Sequence, residues 1–202
     1  MSDHDQDRQE PPWEPPLSGP ADLQLLGALD RLRWTFRWKV DGLDAVGLAT
    51  TPGASPLTLG GLTKHLAAGE DHALHSRIRG VPMPQQWRHD AWEQDPDWDF
   101  HSAADDSPTH LYALWDAAVA RSRAHLADIM ATPEGLDTRA AISDRIGEPV
   151  SVRRIVCDLI EEYGRHTGHA DLIREAVDGR VGEDPPDEWR PGGPPTGATR
   201  GA

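Results

Sequence analysis

Residues 155–171 read Ile155-Val156-Cys157-Asp158-Leu159-Ile160-Glu161-Glu162-Tyr163-Gly164-Arg165-His166-Thr167-Gly168-His169-Ala170-Asp171. Extended by a few residues at each end, the stretch places Val152, Val156, Leu159, Tyr163, Ala170 and Ile173 on alternating three- and four-residue steps. That is the pattern of a helix face turned toward a core. His166 stands on the same series, where Leu or Val is expected. Glu162, four residues earlier, is offset from it by only about 40° around the axis and roughly 6 Å along it. The spacing therefore predicts a carboxylate and an imidazole pointing together into the interior. Such a pair needs a partner, because an unpaired buried charge is strongly destabilising.

Three further stretches carry helical stripes. Leu25, Leu29, Leu32, Phe36 and Val40 predict a first helix over 22–40, with Asp22 as its cap and Gly42 past its end. Thr58 caps a second, over 59–79, whose stripe is Leu59, Leu62, His65, Leu66, Gly69 and Ala73. A histidine again occupies an apolar position. The third, over 109–130, carries Leu111, Leu114, Trp115, Ala118, Arg121, His125 and Ile129, with Ser107 or Thr109 as cap. The opening stretch belongs to the fourth, over 151–179, which starts at Ser151 and stops at Gly179. Between the second and third helices, residues 80–107 show no sustained period. They hold Pro82, Pro84, Pro96 and three tryptophans, Trp87, Trp92 and Trp98, which predicts a long loop laid across the mouth of the bundle. His110 and His125 lack a carboxylate at helical spacing and read as solvated or peripheral. The predicted fold is all-α, a four-helix bundle.

The organisation follows: a Pro-rich arm over 1–20, the bundle over 21–180 and an acidic, Pro- and Gly-rich tail over 181–202. The arm cannot be helical, because Pro11, Pro12, Pro15 and Pro16 lack the amide donor. Trp13 and Leu17 leave open whether it is free or packed on the bundle. The tail reads as disordered.

Composition narrows the function classes. A net charge of −14, from 34 acidic and 20 basic residues, argues against nucleic acid as a partner, since phosphate neutralisation carries most of that affinity. The single cysteine, Cys157, excludes an intramolecular disulfide and a CxxC site. The acidic start has no apolar run behind it, and no segment approaches the roughly 20 apolar residues that span a bilayer. The expectation is a soluble, cytoplasmic protein with no membrane partner.

Helix bundles build metal sites from inward side chains of facing helices. A histidine from the second helix with Glu162 and His166 gives two imidazoles and a carboxylate. Three protein ligands with an open position is the arrangement of catalytic zinc, and the same set suits ferrous iron. His169 lies about 20° from Glu162 around the axis, so it can replace Glu162 as third ligand or act on a bound substrate. Asp158 is a candidate to support Glu162 through the same four-residue step, and Arg165 and Asp171 read as surface residues. Cys157 lies off the stripe and reads as packing.

Trp38-Lys39-Val40-Asp41-Gly42-Leu43, Leu59-Gly60-Gly61-Leu62-Thr63-Lys64-His65-Leu66-Ala67 and the 159–171 motif together resemble the DinB/YfiT-like superfamily. The resemblance is greatest to its actinobacterial mycothiol-transferase-like branch, related to the mini-circle protein. It covers roughly residues 11–180. It implies a four-helix bundle holding a divalent metal (zinc, iron or nickel) through His65, Glu162 and His166, often as a homodimer. It further implies a metal-dependent S-transferase that joins a low-molecular-weight thiol, mycothiol, to a small electrophile. Many relatives have histidine where this chain has Glu162 and glutamine where it has His169. A carboxylate lowers the site's charge by one and weakens a bound cation as a Lewis acid. Two other readings stay open: a metal-dependent hydrolase or isomerase with His169 as the catalytic acid or base, and a non-catalytic binding bundle.

Overall fold

The structure, a computed structural model, describes residues 11, 13–144 and 147–192. In chain order its helices are α1 (Ala21–Val40), α2 (Ala45–Ala49), α3 (Leu59–Glu70), α4 (His89–Gln94), α5 (Trp98–Ser102), α6 (Pro108–Met130) and α7 (Val152–Asp178). The four long ones, α1, α3, α6 and α7, form the bundle; α1 lies mainly along α7, and α3 against α6 and α7. Among the described residues the only β pairing is an isolated bridge between Arg139 and Ser151.

The helix ends follow from side-chain chemistry. The Thr58 hydroxyl accepts from the Gly61 amide, Ser107 from His110 and Ser151 from Arg154, each satisfying an amide that the first helical turn leaves unpaired. Pro108 opens α6, where its missing amide costs nothing. Gly179 closes α7 in the left-handed region at φ 79°. α1 differs from expectation: it starts after Pro20 with no side-chain cap, and Asp22 bonds Arg153 of α7 instead.

The opening stripe packs as its spacing predicts. Val152, Val156, Leu159, Tyr163, Ala170 and Ile173 are all buried, and His166 is buried among them. α3 is less regular. It runs on through a π-helical turn, Asp71–Arg77, and its buried series becomes Leu59, Leu62, Leu66, Glu70, Asp71, Leu74 and Ile78. Glu70 meets the buried Arg33 of α1 through two 2.7 Å hydrogen bonds, and Asp71 accepts from Arg121 and from Trp87 Nε1. On α6 the buried face passes through Ser122 and Leu126 rather than Arg121 and His125, since Arg121 is turned to reach Asp71.

Residues 80–107 are not a structureless loop. They carry α4, α5 and a 3₁₀ turn (Ala103–Asp105), and α5 packs on α3. Each tryptophan is anchored: Trp87 by Asp71, Trp92 by Asp99, and Trp98 beneath the Lys64 ammonium at 4.7 Å. Periodicity missed these helices because five or six residues hold too few turns to show one.

Both chain ends within the described residues lie on α1. Trp34 stands between Trp13 and Trp189, with ring centroids 5.6 Å away on either side. The part of the tail over 181–192, where composition predicts no structure, is held by the buried Trp189, whose Nε1 donates to Asp41, and by Asp184 on Arg31. One large aromatic ring supplies apolar area that the surrounding composition lacks. Residues 1–10, 12 and 193–202 of the expected arm and tail lie outside the described residues.

Candidate metal centre

α3 supplies His65 and α7 supplies Glu162 and His166. Each offers one ligand atom, and the three atoms lie within 4.8 Å of one another. His166 Nε2 is 3.3 Å from Glu162 Oε2, one helical turn away, and the His65 and His166 rings meet edge to face at 4.9 Å. Four-residue spacing on α7 and the close packing of α3 on α7 produce this convergence.

The other ring nitrogens are also engaged. His65 Nδ1 donates to Asp99 Oδ2 at 2.8 Å, and the second oxygen of Asp99 accepts from Trp92 Nε1 at 3.2 Å. Burial works to raise the Asp99 carboxyl, but the hydrogen bond and charge of His65 outweigh it and hold the pKa below the usual carboxylate range. With its Nδ1 proton on Asp99, His65 keeps a lone pair on Nε2, as carboxylate-oriented histidine ligands do. The phenyl ring of Phe100, next along α5, stacks on His65 at 4.5 Å. His166 Nδ1 lies 3.3 Å from His169 Nδ1. Burial first, and the neighbouring His65 second, lower the His166 pKa to about 4, so it is neutral at pH 7.

The donor set suits a divalent ion. Two imidazoles and one carboxylate, half-buried or buried, are nitrogen and oxygen donors of the kind zinc and iron take, with no lysine or arginine among them. His169 lies outside this group, on the far nitrogen of His166. Asp158 bonds Arg154 rather than supporting Glu162, and Asp171 reaches the buried Lys39 at 2.8 Å instead of standing free at the surface. Cys157 is exposed. His125 is half-buried rather than solvated, with Nε2 3.0 Å from His75 Nδ1. Asp99 and Phe100 were missed in the sequence: they are 34 and 35 positions from His65, at no helical spacing. The only signal was the run of tryptophans that pins their segment down.

An all-helical bundle with a His-Glu-His cluster between its second and last long helices is of the DinB-like class. The chain belongs to the mycothiol-S-transferase family, whose model matches residues 24–179. Its fold is similar to the crystal structure of a conserved protein from Enterococcus faecalis, with 18% identity and a TM-score of 0.54, covering 81% of this chain and 100% of the other. That likeness concerns the fold alone. No curated protein matches. Among the described residues, no helix is long and apolar enough to cross a membrane.

Proposed function

We propose that the chain is a divalent-metal-dependent S-transferase that joins a low-molecular-weight thiol, mycothiol by family, to a small electrophile. The observation that carries this reading is the convergence of His65, Glu162 and His166, assigned here as the metal ligands. Family membership supports the thiol. A divalent cation bound there supplies Lewis acidity, which lowers the pKa of a thiol so that thiolate exists at neutral pH.

The chain's own side chains do the positioning. Asp99 holds the Nδ1 proton of His65 and so presents its Nε2 lone pair. His169 does the same for His166 when its Nδ1 accepts from His166 Nδ1–H. Its own Nε2–H is then the donor for a substrate atom or a departing group, the catalytic role assigned to it. Phe100 covers one face of His65 and keeps water from it. The reaction forms an S–C bond, releases the thiol proton, and expels a leaving group with the electron pair of the bond it breaks. Cys157 is exposed and outside the cluster, so the nucleophilic sulfur is that of the thiol substrate.

Thiol dependence tests this. Protein purified without an affinity tag should release chloride from monochlorobimane with mycothiol present and not without it, and Cys157→Ser should behave alike. Equal turnover of a substrate with no thiol would contradict transfer and favour hydrolysis or isomerisation.

A further inference from the structure

Beside the cluster lies a cleft of about 310 Å³, to which α3 contributes His65, Ala68 and Gly69, the π turn contributes His72, and the 80–107 segment contributes Met83, Trp92 and Asp99. That volume sits at the lower end of small-molecule sites. Its chemistry is one-sided. Carbon surface from Ala68, Met83 and Trp92 dominates, and both oxygens of Asp99 already accept, from His65 and from Trp92. The other polar groups are the imidazoles of His65 and His72, and among the described residues lining it there is no lysine or arginine, so no permanent cation is there to pair with an anionic group.

The glycines of α3 show how this space is kept. A Cβ on Gly60 would stand 3.2 Å from the Leu48 carbonyl oxygen, and one on Gly61 would stand 3.1 Å from Thr58 Oγ1 and 3.2 Å from the Phe100 ring. Those two let neighbouring segments approach closely. A Cβ on Gly69 would meet nothing within 4 Å. A glycine inside a helix is less stable than alanine by about 0.5–1 kcal/mol, and here no packing requires it. What the missing side chain leaves is room in the cleft.

We propose that this cleft binds the electrophilic co-substrate, that it selects an uncharged, flat, largely apolar molecule of one or two rings, and that Gly69 sets the size it admits. The proposal rests on the transferase reading for the occupant's role. The occupant would lie against His65, beside the cluster where the thiol sulfur is expected.

Binding of tetramethylbimane, a flat, uncharged and unreactive probe, tests it without turnover, followed by the probe's fluorescence. The wild-type protein should bind it and should bind 1-naphthalenesulfonate, flat but anionic, more weakly. Gly69→Leu should weaken bimane binding by about tenfold or more, a difference of about 1.4 kcal/mol, with Gly69→Ala intermediate. Met83→Phe, which fills the same space from the other segment, should give the same loss by an independent route. Metal content should match wild type in all three, and neither Gly69 variant should melt below wild type. The proposal is overturned if wild type does not bind the bimane, if the sulfonate binds as tightly, or if the filled variants bind like wild type. Blocked bimane binding without any thiol-dependent turnover keeps the cleft and removes the transferase reading. Thiol-dependent turnover with an unchanged bimane KM in Gly69→Leu does the reverse.

Discussion

At His166, burial and the neighbouring His65 oppose the attraction of Glu162 and win, so the imidazole stays neutral at neutral pH. Its folded pKa of about 4 lies below the value near 6.5 of an unfolded chain, which takes up the proton first. In metal-free protein this contribution to stability is therefore complete above pH 6.5 and is lost as the pH falls through 4. It is expected to be on the order of 1–2 kcal/mol after solvent screening. Urea unfolding of metal-free protein at pH 7 and pH 4.5 should show the loss, and His166→Asn should reduce it. In the proposed metal centre Asp99 would act on His65 rather than on the ion. Asp99→Asn should weaken metal affinity by about 10–100-fold, measured against a competing chelator, with little change in metal-free melting. At this scale the sequence was informative where spacing is local. Glu162 and His166 are a four-residue step apart, and His65 is a polar defect in an otherwise apolar stripe. Asp99 was illegible because chain folding between α4 and α5, not helical geometry, brings it to His65.

Among the elements, α3 departs most from an ideal helix. Its π turn coincides with two consecutive acids facing inward, Glu70 toward Arg33 and Asp71 toward Arg121 and Trp87. The sequence stripe puts Gly69 and Ala73 on the buried face; in the structure Glu70, an ordinary four-residue step after Leu66, and Asp71, which opens the π turn, are buried there instead. The Arg33–Glu70 pair joins α1 to α3 where neither charge reaches water. Arg33→Met leaves Glu70 buried and unpaired and should cost about 3–5 kcal/mol by chemical denaturation. Replacing both residues by Met should recover most of that, because the large term is the stranded charge. The long helices were legible because several turns of apolar residues repeat. The pairing of α1 with α3 through ions was not, since an arginine and a glutamate 37 positions apart carry no mark of being partners.

Across the whole molecule, acidic excess and interior cations combine. Arg33, Arg37, Lys39, Lys64 and Arg174 are buried and bonded to carboxylates or carbonyls, which leaves the surface more acidic still. The described parts of both chain ends meet on α1 around Trp34, on a different helix from the cluster, whose residues come from α3 and α7 with Asp99 of the tryptophan-rich segment bonded to His65. The central claim is that these elements hold one divalent ion at His65, Glu162 and His166. Elemental analysis of protein purified without an affinity tag measures this directly. The account predicts one zinc, iron or nickel ion per chain, removed by His65→Ala, Glu162→Ala or His166→Ala in variants that remain helical. Folded wild-type protein that binds no such ion even when it is supplied, or a His65→Ala variant with undiminished metal content, would contradict it.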